Sequence, residues 1–344
     1  MRRIGIITII DNNNCGNRLQ NYALQEILME YCDEVCTIKN ENVLNWNEKY
    51  YIGILRVLKK KIKGIIKNNK LFNNFNKRIK FSKKCITIKT KKITEKYDYF
   101  VAGSDQIWKP TRKRLSKIDL LGFAEPQKRI SYAASFGLGE IEEKYYKTLR
   151  EELPKFKAIS VREEAGAEII KNATGIENTN VVLDPTLLLD ENKWKSVEEK
   201  PEQFDYKKYI FTYFLGDENT EELVKKIFGN EYSVVDFHKG IYGPAEFLYL
   251  INHAEYILTD SFHGTVFSIL FKKNFFVFNR KQSDLNNDMN SRLDTLLGKL
   301  SLKDRKINNL YQINVNNKIN YENVEKKLEY ERKISFDFLE NALK

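Results

Sequence analysis

Of the three histidines in the chain, His263 stands where an imidazole can do chemistry. It lies in Leu258-Thr259-Asp260-Ser261-Phe262-His263-Gly264-Thr265, where an apolar strand ends at Thr259 and a helix is predicted to begin just after the histidine. The first amide N–H groups of a helix have no partner within it, so Ser261, Gly264 and Thr265 form an anion-binding turn beside a titratable ring. An imidazole next to a bound anion suits acid–base catalysis. The competing reading is a histidine that caps its own helix. His238 follows the predicted strand Ser233–Phe237 and is a second cleft candidate, whereas His253 closes a predicted helix, where a cation complements the dipole and needs no other role.

Arg162 occupies a similar junction in Ile159-Ser160-Val161-Arg162-Glu163-Glu164, a short strand running into a helix. A guanidinium grips phosphate or carboxylate with two parallel bonds, although pairing with Glu163 or Glu164 would equally account for it. In Tyr99-Phe100-Val101-Ala102-Gly103-Ser104-Asp105-Gln106, Gly103 permits close backbone approach, while Ser104 and Asp105 either cap a helix or hold a sugar hydroxyl, with Gln106 beside them. Asn17 follows the first strand in Gly16-Asn17-Arg18-Leu19-Gln20-Asn21. That segment has a single glycine, which excludes the glycine fingerprints of dinucleotide enzymes and P-loop kinases.

The elements that position these groups alternate. A buried strand from Ile4 to Ile10 leads into a helix with Leu19, Tyr22, Ala23, Leu24, Ile27, Leu28 and Tyr31 on one face, then a strand near Val35–Ile38. Strands are predicted again at Tyr99–Ala102, Ile130–Ala133, Ala158–Val161 and Asn180–Leu183, with helices at Glu142–Leu153 and Glu163–Lys171 between them. After a charged crossing from Asp190 to Lys208 the alternation restarts, with strands at Tyr209–Phe214, Ser233–Phe237, Tyr256–Thr259 and Phe275–Phe278. Helices are predicted at Thr220–Phe228, Pro244–Asn252, Thr265–Phe271 and Ser291–Leu300, and a helical tail from Tyr321 to Leu343 packs back on the first domain. The expectation is an α/β protein of two doubly wound, Rossmann-like domains, residues 1–190 and 191–344, with a ligand cleft between them.

Charge is concentrated. The 58 Lys and Arg against 47 Asp and Glu leave a net charge of +11, yet Lys49 to Lys92 alone holds sixteen basic and no acidic residues. Within it Ile54, Leu55, Leu58, Ile62, Ile65 and Ile66 share one helical face, so a basic helical insertion is expected. It either makes peripheral contact with an anionic membrane or docks on the first domain as an ordinary surface helix. Tyr50, Tyr51, Phe72, Phe75 and Phe81 flank or interrupt it, but no nucleic-acid motif is present and nucleic acid is not an expected partner. Cys32 and Cys36 miss the CxxC spacing, and the polar Asp11-Asn12-Asn13-Asn14 cuts off the N-terminal apolar run. Free thiols in a soluble, cytoplasmic chain are expected.

Taken together, Gly16–Leu24, Gly103–Trp108, Tyr132-Ala133-Ala134-Ser135-Phe136-Gly137, Ser160–Glu163, Leu183-Asp184-Pro185-Thr186 and Asp260–Thr265 resemble, in order, the polysaccharide pyruvyl transferase family. The resemblance implies a GT-B-like pair of domains and transfer of pyruvate from phosphoenolpyruvate to a sugar of a cell-surface polysaccharide precursor, forming a cyclic ketal and releasing phosphate. It implies no cofactor or metal, and an acceptor saccharide that is lipid-linked or free. His263 matches the family's catalytic histidine, and Arg162 an arginine that holds the donor. One departure stands out, because the family carries an arginine two residues before the histidine, where this chain has Ser261. Either Lys272, Lys273, Arg280 or Arg292 supplies that charge, or the donor diverges from the family's. The alternative on the same architecture is a glycosyltransferase using a nucleotide-sugar donor.

Overall fold

The computed structural model describes residues 1–40, 69–88, 90, 93–110, 115–216, 218–280 and 291–344. The basic helix expected over Ile54–Ile66 lies outside them.

Two parallel sheets organise the chain. In the first, β1 (Arg3–Ile7) lies between β2 (Glu34–Thr37) and β3 (Tyr99–Ala102), with β4 (Arg129–Ser131) next to β3. Parallel bridges from Ile130 to Ala158 and from Ala134 to Val161 carry the layer on to β5 (Ser160–Val161) and β6 (Asn180–Val181). In the second the order is β11-β10-β9-β7-β8, with β7 at Tyr209–Tyr213, β8 at Ser233–Asp236, β9 at Tyr256–Thr259, β10 at Asn274–Phe278 and β11 at Lys306–Ile307. The strands are apolar because both faces are covered. Ile4, Ile6 and Ile7, like Ile257 and Leu258, have no exposed surface.

Each sheet grows first to one side and then to the other of its opening strand. This places a switch point between β1 and β3, and another between β7 and β9. Connecting chains diverge there, leaving a crevice beyond the carboxyl ends of the strands. Helices α1 (Cys15–Leu28), α2 (Tyr146–Glu152), α3 (Glu164–Thr174), α4 (Glu191–Lys195), α5 (Thr220–Phe228), α6 (Pro244–Asn252), α7 (Phe262–Leu270), α8 (Ser291–Lys299) and α9 (Tyr321–Leu343) complete the α/β fold.

Two helices start earlier than their apolar periodicity indicates, and both feed the crevice. Helix α1 begins at Cys15 because Asn14 caps it, its side chain accepting from the Asn17 N–H at 3.0 Å. Helix α7 begins at Phe262 because Ser261 caps it, so His263 sits inside the first turn and not ahead of it. Capping chemistry outweighs hydrophobic spacing at both ends.

The two sheets share one core. Trp194 is fully buried, meets Phe267 of α7 edge-on at 4.9 Å and Tyr22 of α1 at 5.8 Å, and donates to the Thr186 carbonyl at 3.0 Å. Helix α9 returns to the first sheet. Ser335 accepts from the Leu183 N–H at 3.0 Å, and Arg332 donates to the Leu187 carbonyl at 2.7 Å. Phe72 and Phe75 are buried, Phe75 against Tyr22, so these aromatics belong to the core and present no face to a nucleic-acid base. All four cysteines are free thiols. Among the described residues no helix is long and apolar enough to cross a membrane.

Trp194→Ala should remove a keystone shared by both halves. The expected loss is about 3–5 kcal/mol of stability, read as a lowered urea midpoint.

Candidate active site

The motif segments, distant in sequence, meet at the two switch points through side chains. Asn17 donates to Asp105 at 3.0 Å, and Ser104 donates to Asp184 at 2.8 Å. Glu163, fully buried, accepts from the Ser135 hydroxyl at 2.8 Å and from the Phe136 and Gly137 N–H groups at 3.1 and 3.3 Å. Arg162 binds Asp184 at 2.6 Å, stands 3.7 Å from Asp105 and 3.9 Å from Glu163, and lies over the Phe262 ring at 4.4 Å. His263 reaches the same Asp184 carboxylate from the second half, with Nε2 3.8 Å from Oδ2. Asp184 is completed by the Thr186 N–H and hydroxyl, at 3.0 and 2.6 Å.

Two backbone features keep this arrangement in place. Asp105 adopts φ of 64°, a left-handed conformation that costs a residue with a Cβ about 1 kcal/mol or more and is found where surrounding structure enforces it. Here the Asp105 carbonyl accepts from Ser135, and its carboxylate from Asn17. Gly16 lies flat against the histidine, since a Cβ there would fall 2.0 Å from His263 Nδ1. Only glycine lets α1 and α7 approach so closely.

Next to this nest is a cavity of about 230 Å³ bounded by both halves. Asn17, Asp105 and Gln106 contribute from the first, and Ser261, His263, Arg280 and Arg292 from the second. Arg280 is anchored on Asp260 at 3.3 Å, while Asp260 also accepts from the Leu215 and Gly216 N–H groups. Arg292 differs. It is 5% exposed, and no carboxylate among the described residues pairs with it. Its partners are Gln106, whose amide oxygen accepts at 3.0 and 3.2 Å once oriented toward it, and the Phe262 ring at 5.9 Å. Arg292 Nε is buried without a hydrogen-bond partner.

Burial and charge set the protonation states. Burial opposes the Asp184 charge, but Arg162 and then His263 overcome it and hold the carboxyl at about 2. Asp105 is likewise lowered, burial being outweighed first by Arg162. Burial would discharge Arg162, yet Asp184, Asp105 and Glu163 raise it above its ordinary value. Arg292 falls to about 10 through burial and then repulsion from Arg162, and it still carries its charge at neutral pH. Burial also pushes His263 below its ordinary value; Asp184 and Asp105 pull it back only in part, against Arg162 and Arg292. The resting imidazole is therefore mainly neutral at pH 7.

The sequence candidates divide into two groups. Asn17, Asp105, Gln106, Ser261, His263, Arg280 and Arg292 line the cavity. Arg162 stands behind its wall, with a side chain 1% exposed and spent on three carboxylates. Gly103 packs on Leu24 of α1, and Ser104 serves Asp184. No helix follows Asp105, so neither it nor Ser104 is a cap. Gly264 packs on Thr259, and Thr265 turns its hydroxyl back to the Ser261 carbonyl at 3.0 Å. Of the four cations considered for the missing arginine, Lys272 pairs with Glu325 and Lys273 is set away from the cavity, leaving Arg280 and Arg292. His238 stacks on Tyr213, a cavity residue, at 5.4 Å, and His253 pairs with Glu198. Sequence reasoning missed the central part of Asp184, although Leu183-Asp184-Pro185-Thr186 was among the segments that carry the family resemblance. It also missed Lys109, whose charge is depressed by burial and then by Arg292 and Arg280. Among the described residues no group of three His, Cys, Asp or Glu could hold a metal ion.

The α/β fold thus carries a crevice at paired switch points whose lining includes His263, Arg280 and Arg292. The chain belongs to the polysaccharide pyruvyl transferase family, whose model matches residues 14–282. It is thus a transferase of a family that modifies polysaccharides. No curated protein is significantly similar in sequence. Similar solved structures include the UDP-GlcNAc 2-epimerase of Neisseria meningitidis bound to UDP-GlcNAc, at 11% identity and a TM-score of 0.43, over 98% of this chain and 100% of that one. Another is the E. coli ADP-heptose LPS heptosyltransferase II, at 11% identity and a TM-score of 0.37, over 97% and 99%.

Proton NMR titration should give His263 a midpoint below 6.5, the ordinary histidine value. Asp184→Asn removes a charge that favours the imidazolium, so the midpoint should fall further. A rise would contradict the electrostatic assignment.

Proposed function

We propose that the protein transfers pyruvate from phosphoenolpyruvate to a sugar of a cell-surface polysaccharide precursor, forming a cyclic ketal and releasing phosphate. The observation that carries this reading is Arg292, a buried guanidinium that pairs with no carboxylate among the described residues, beside a buried imidazole. An isolated interior charge is costly, and an anionic substrate removes the cost. The cavity of about 230 Å³ suits a small phosphorylated acid. A nucleotide sugar calls for a site of roughly 300–1,000 Å³, as drug-sized ligands do.

Arg292 and Arg280 take the donor's phosphate and carboxylate, supplying the charge that the family places two residues before the histidine. Arg162 acts one layer back. It fixes Asp184 and Asp105, and Asp184 orients His263. Donor binding brings negative charge to His263, raises its pKa and draws a proton onto the ring. His263 then protonates the donor's methylene carbon, C3, making C2 electrophilic. One sugar hydroxyl adds to C2 and loses its proton, phosphate leaves with the C2–O bonding pair, and a second hydroxyl closes the ketal. One phosphoenolpyruvate and one diol give one ketal and one phosphate.

The test is phosphate release from phosphoenolpyruvate with a panel of saccharide acceptors. His263→Ala should abolish release while leaving the fold intact by circular dichroism. Arg292→Leu should raise KM for phosphoenolpyruvate about 10- to 100-fold, the size of lost charge-assisted hydrogen bonds. Calorimetry at pH 7 in buffers of different ionisation enthalpy should register proton uptake on donor binding. Near-normal turnover by the alanine variant, or thermal stabilisation by UDP in place of phosphoenolpyruvate, would remove this reading.

A further inference from the structure

A second cavity, of about 630 Å³, opens at the carboxyl ends of β10 and β11 beside the start of α5. Arg280 forms part of its wall and part of the donor cavity's wall, so the two cavities are neighbours. The chemistry of the two spaces differs. In the larger one Lys226 is held by Glu222 at 2.7 Å, and the polar lining is otherwise rich in amides.

Hydrogen-bond bookkeeping shows what those amides leave open. Asn279, just past β10, donates through Nδ2 to Asn308 Oδ1, just past β11, at 2.7 Å. Both side chains are exposed, and the Asn279 oxygen and the two side-chain N–H groups of Asn308 have no partner among the described residues. Asn309 accepts from the Tyr311 N–H at 3.2 Å, leaving its own amino group open as well. Mixed donors and acceptors on neighbouring rigid strand ends match vicinal hydroxyls, each of which donates once and accepts twice. Leu310, 40% exposed, and Phe278 add apolar surface of the kind that meets the C–H face of a pyranose ring. Phosphate would find no unspent lysine here.

We infer that this cavity is the acceptor site and takes a neutral hexose residue of the saccharide, with Asn279, Asn308 and Asn309 reading its hydroxyls. The inference rests on the donor reading above for the direction of transfer, but not for the sugar site itself. A hexose held there lies next to the donor cavity, with Arg280 between them.

Saturation-transfer NMR on the full chain with the methyl glycosides of galactose, mannose, glucose and N-acetylglucosamine tests it. At least one glycoside should bind, and its affinity should fall about five-fold in Asn308→Leu and in Asn309→Leu, as for loss of a neutral hydrogen bond. Phosphoenolpyruvate affinity, measured by calorimetry on the same variants, should stay within about two-fold, which also reports an intact fold. Absence of transfer to every glycoside, or affinities untouched by both substitutions, overturns the inference. So does UDP binding that the two substitutions abolish, which would make this a nucleotide site. Sugar binding that depends on the asparagines in a protein unable to bind phosphoenolpyruvate upholds the acceptor site and removes only the donor reading.

Discussion

The Asp184 carboxylate is the point at which the two halves of the molecule meet electrically. It takes Arg162 and Ser104 from the first sheet's loops and faces His263 from the second. A buried pair of this kind contributes little net stability, because desolvation offsets attraction. Its effect is geometric. Removing one partner strands the other charge in the interior, so only the assembled arrangement is affordable, and the imidazole is held in one place.

Around that pair the charges are deliberately uneven. Arg162 has three carboxylates within 4 Å, one of them hydrogen-bonded, whereas Arg292, close by, pairs with none among the described residues. The first guanidinium belongs to the framework and the second to the cavity. On the proposed reading, this division is how the chain carries Ser261 where the family resemblance expects an arginine. Ser261 caps α7 and fixes the turn, while the positive charge arrives from α8 through Arg292 and from the end of β10 through Arg280.

Strand positions were the most legible part of the sequence. Tyr99–Ala102 and Tyr256–Thr259 coincide with their apolar runs, since a strand covered on both faces must be apolar throughout. Helix starts were less legible, because Asn14 and Ser261 set them through side-chain bonds that periodicity does not register. The lysine-rich helix expected between Lys49 and Lys92 falls largely outside the described residues. At the site, His263 was readable from its strand-to-helix junction, but local sequence could not separate the roles of Arg162 and Arg292. Both are arginines beside helices, and what distinguishes them is the number of carboxylates that tertiary folding delivers to each. Asp184 was hidden for a related reason, as its partners lie about 20 and 80 residues away in the chain.

The returning helix α9 bears on how such a molecule comes into being. The loop that carries Asp184 is pinned by Ser335 and Arg332, which emerge from the ribosome about 150 residues after it. The strands of both sheets precede α9 in the chain, and the loop behind His263 has all its bonds only when that helix is docked. The Asp184 loop therefore depends for two of its backbone anchors on a helix made about 150 residues after it.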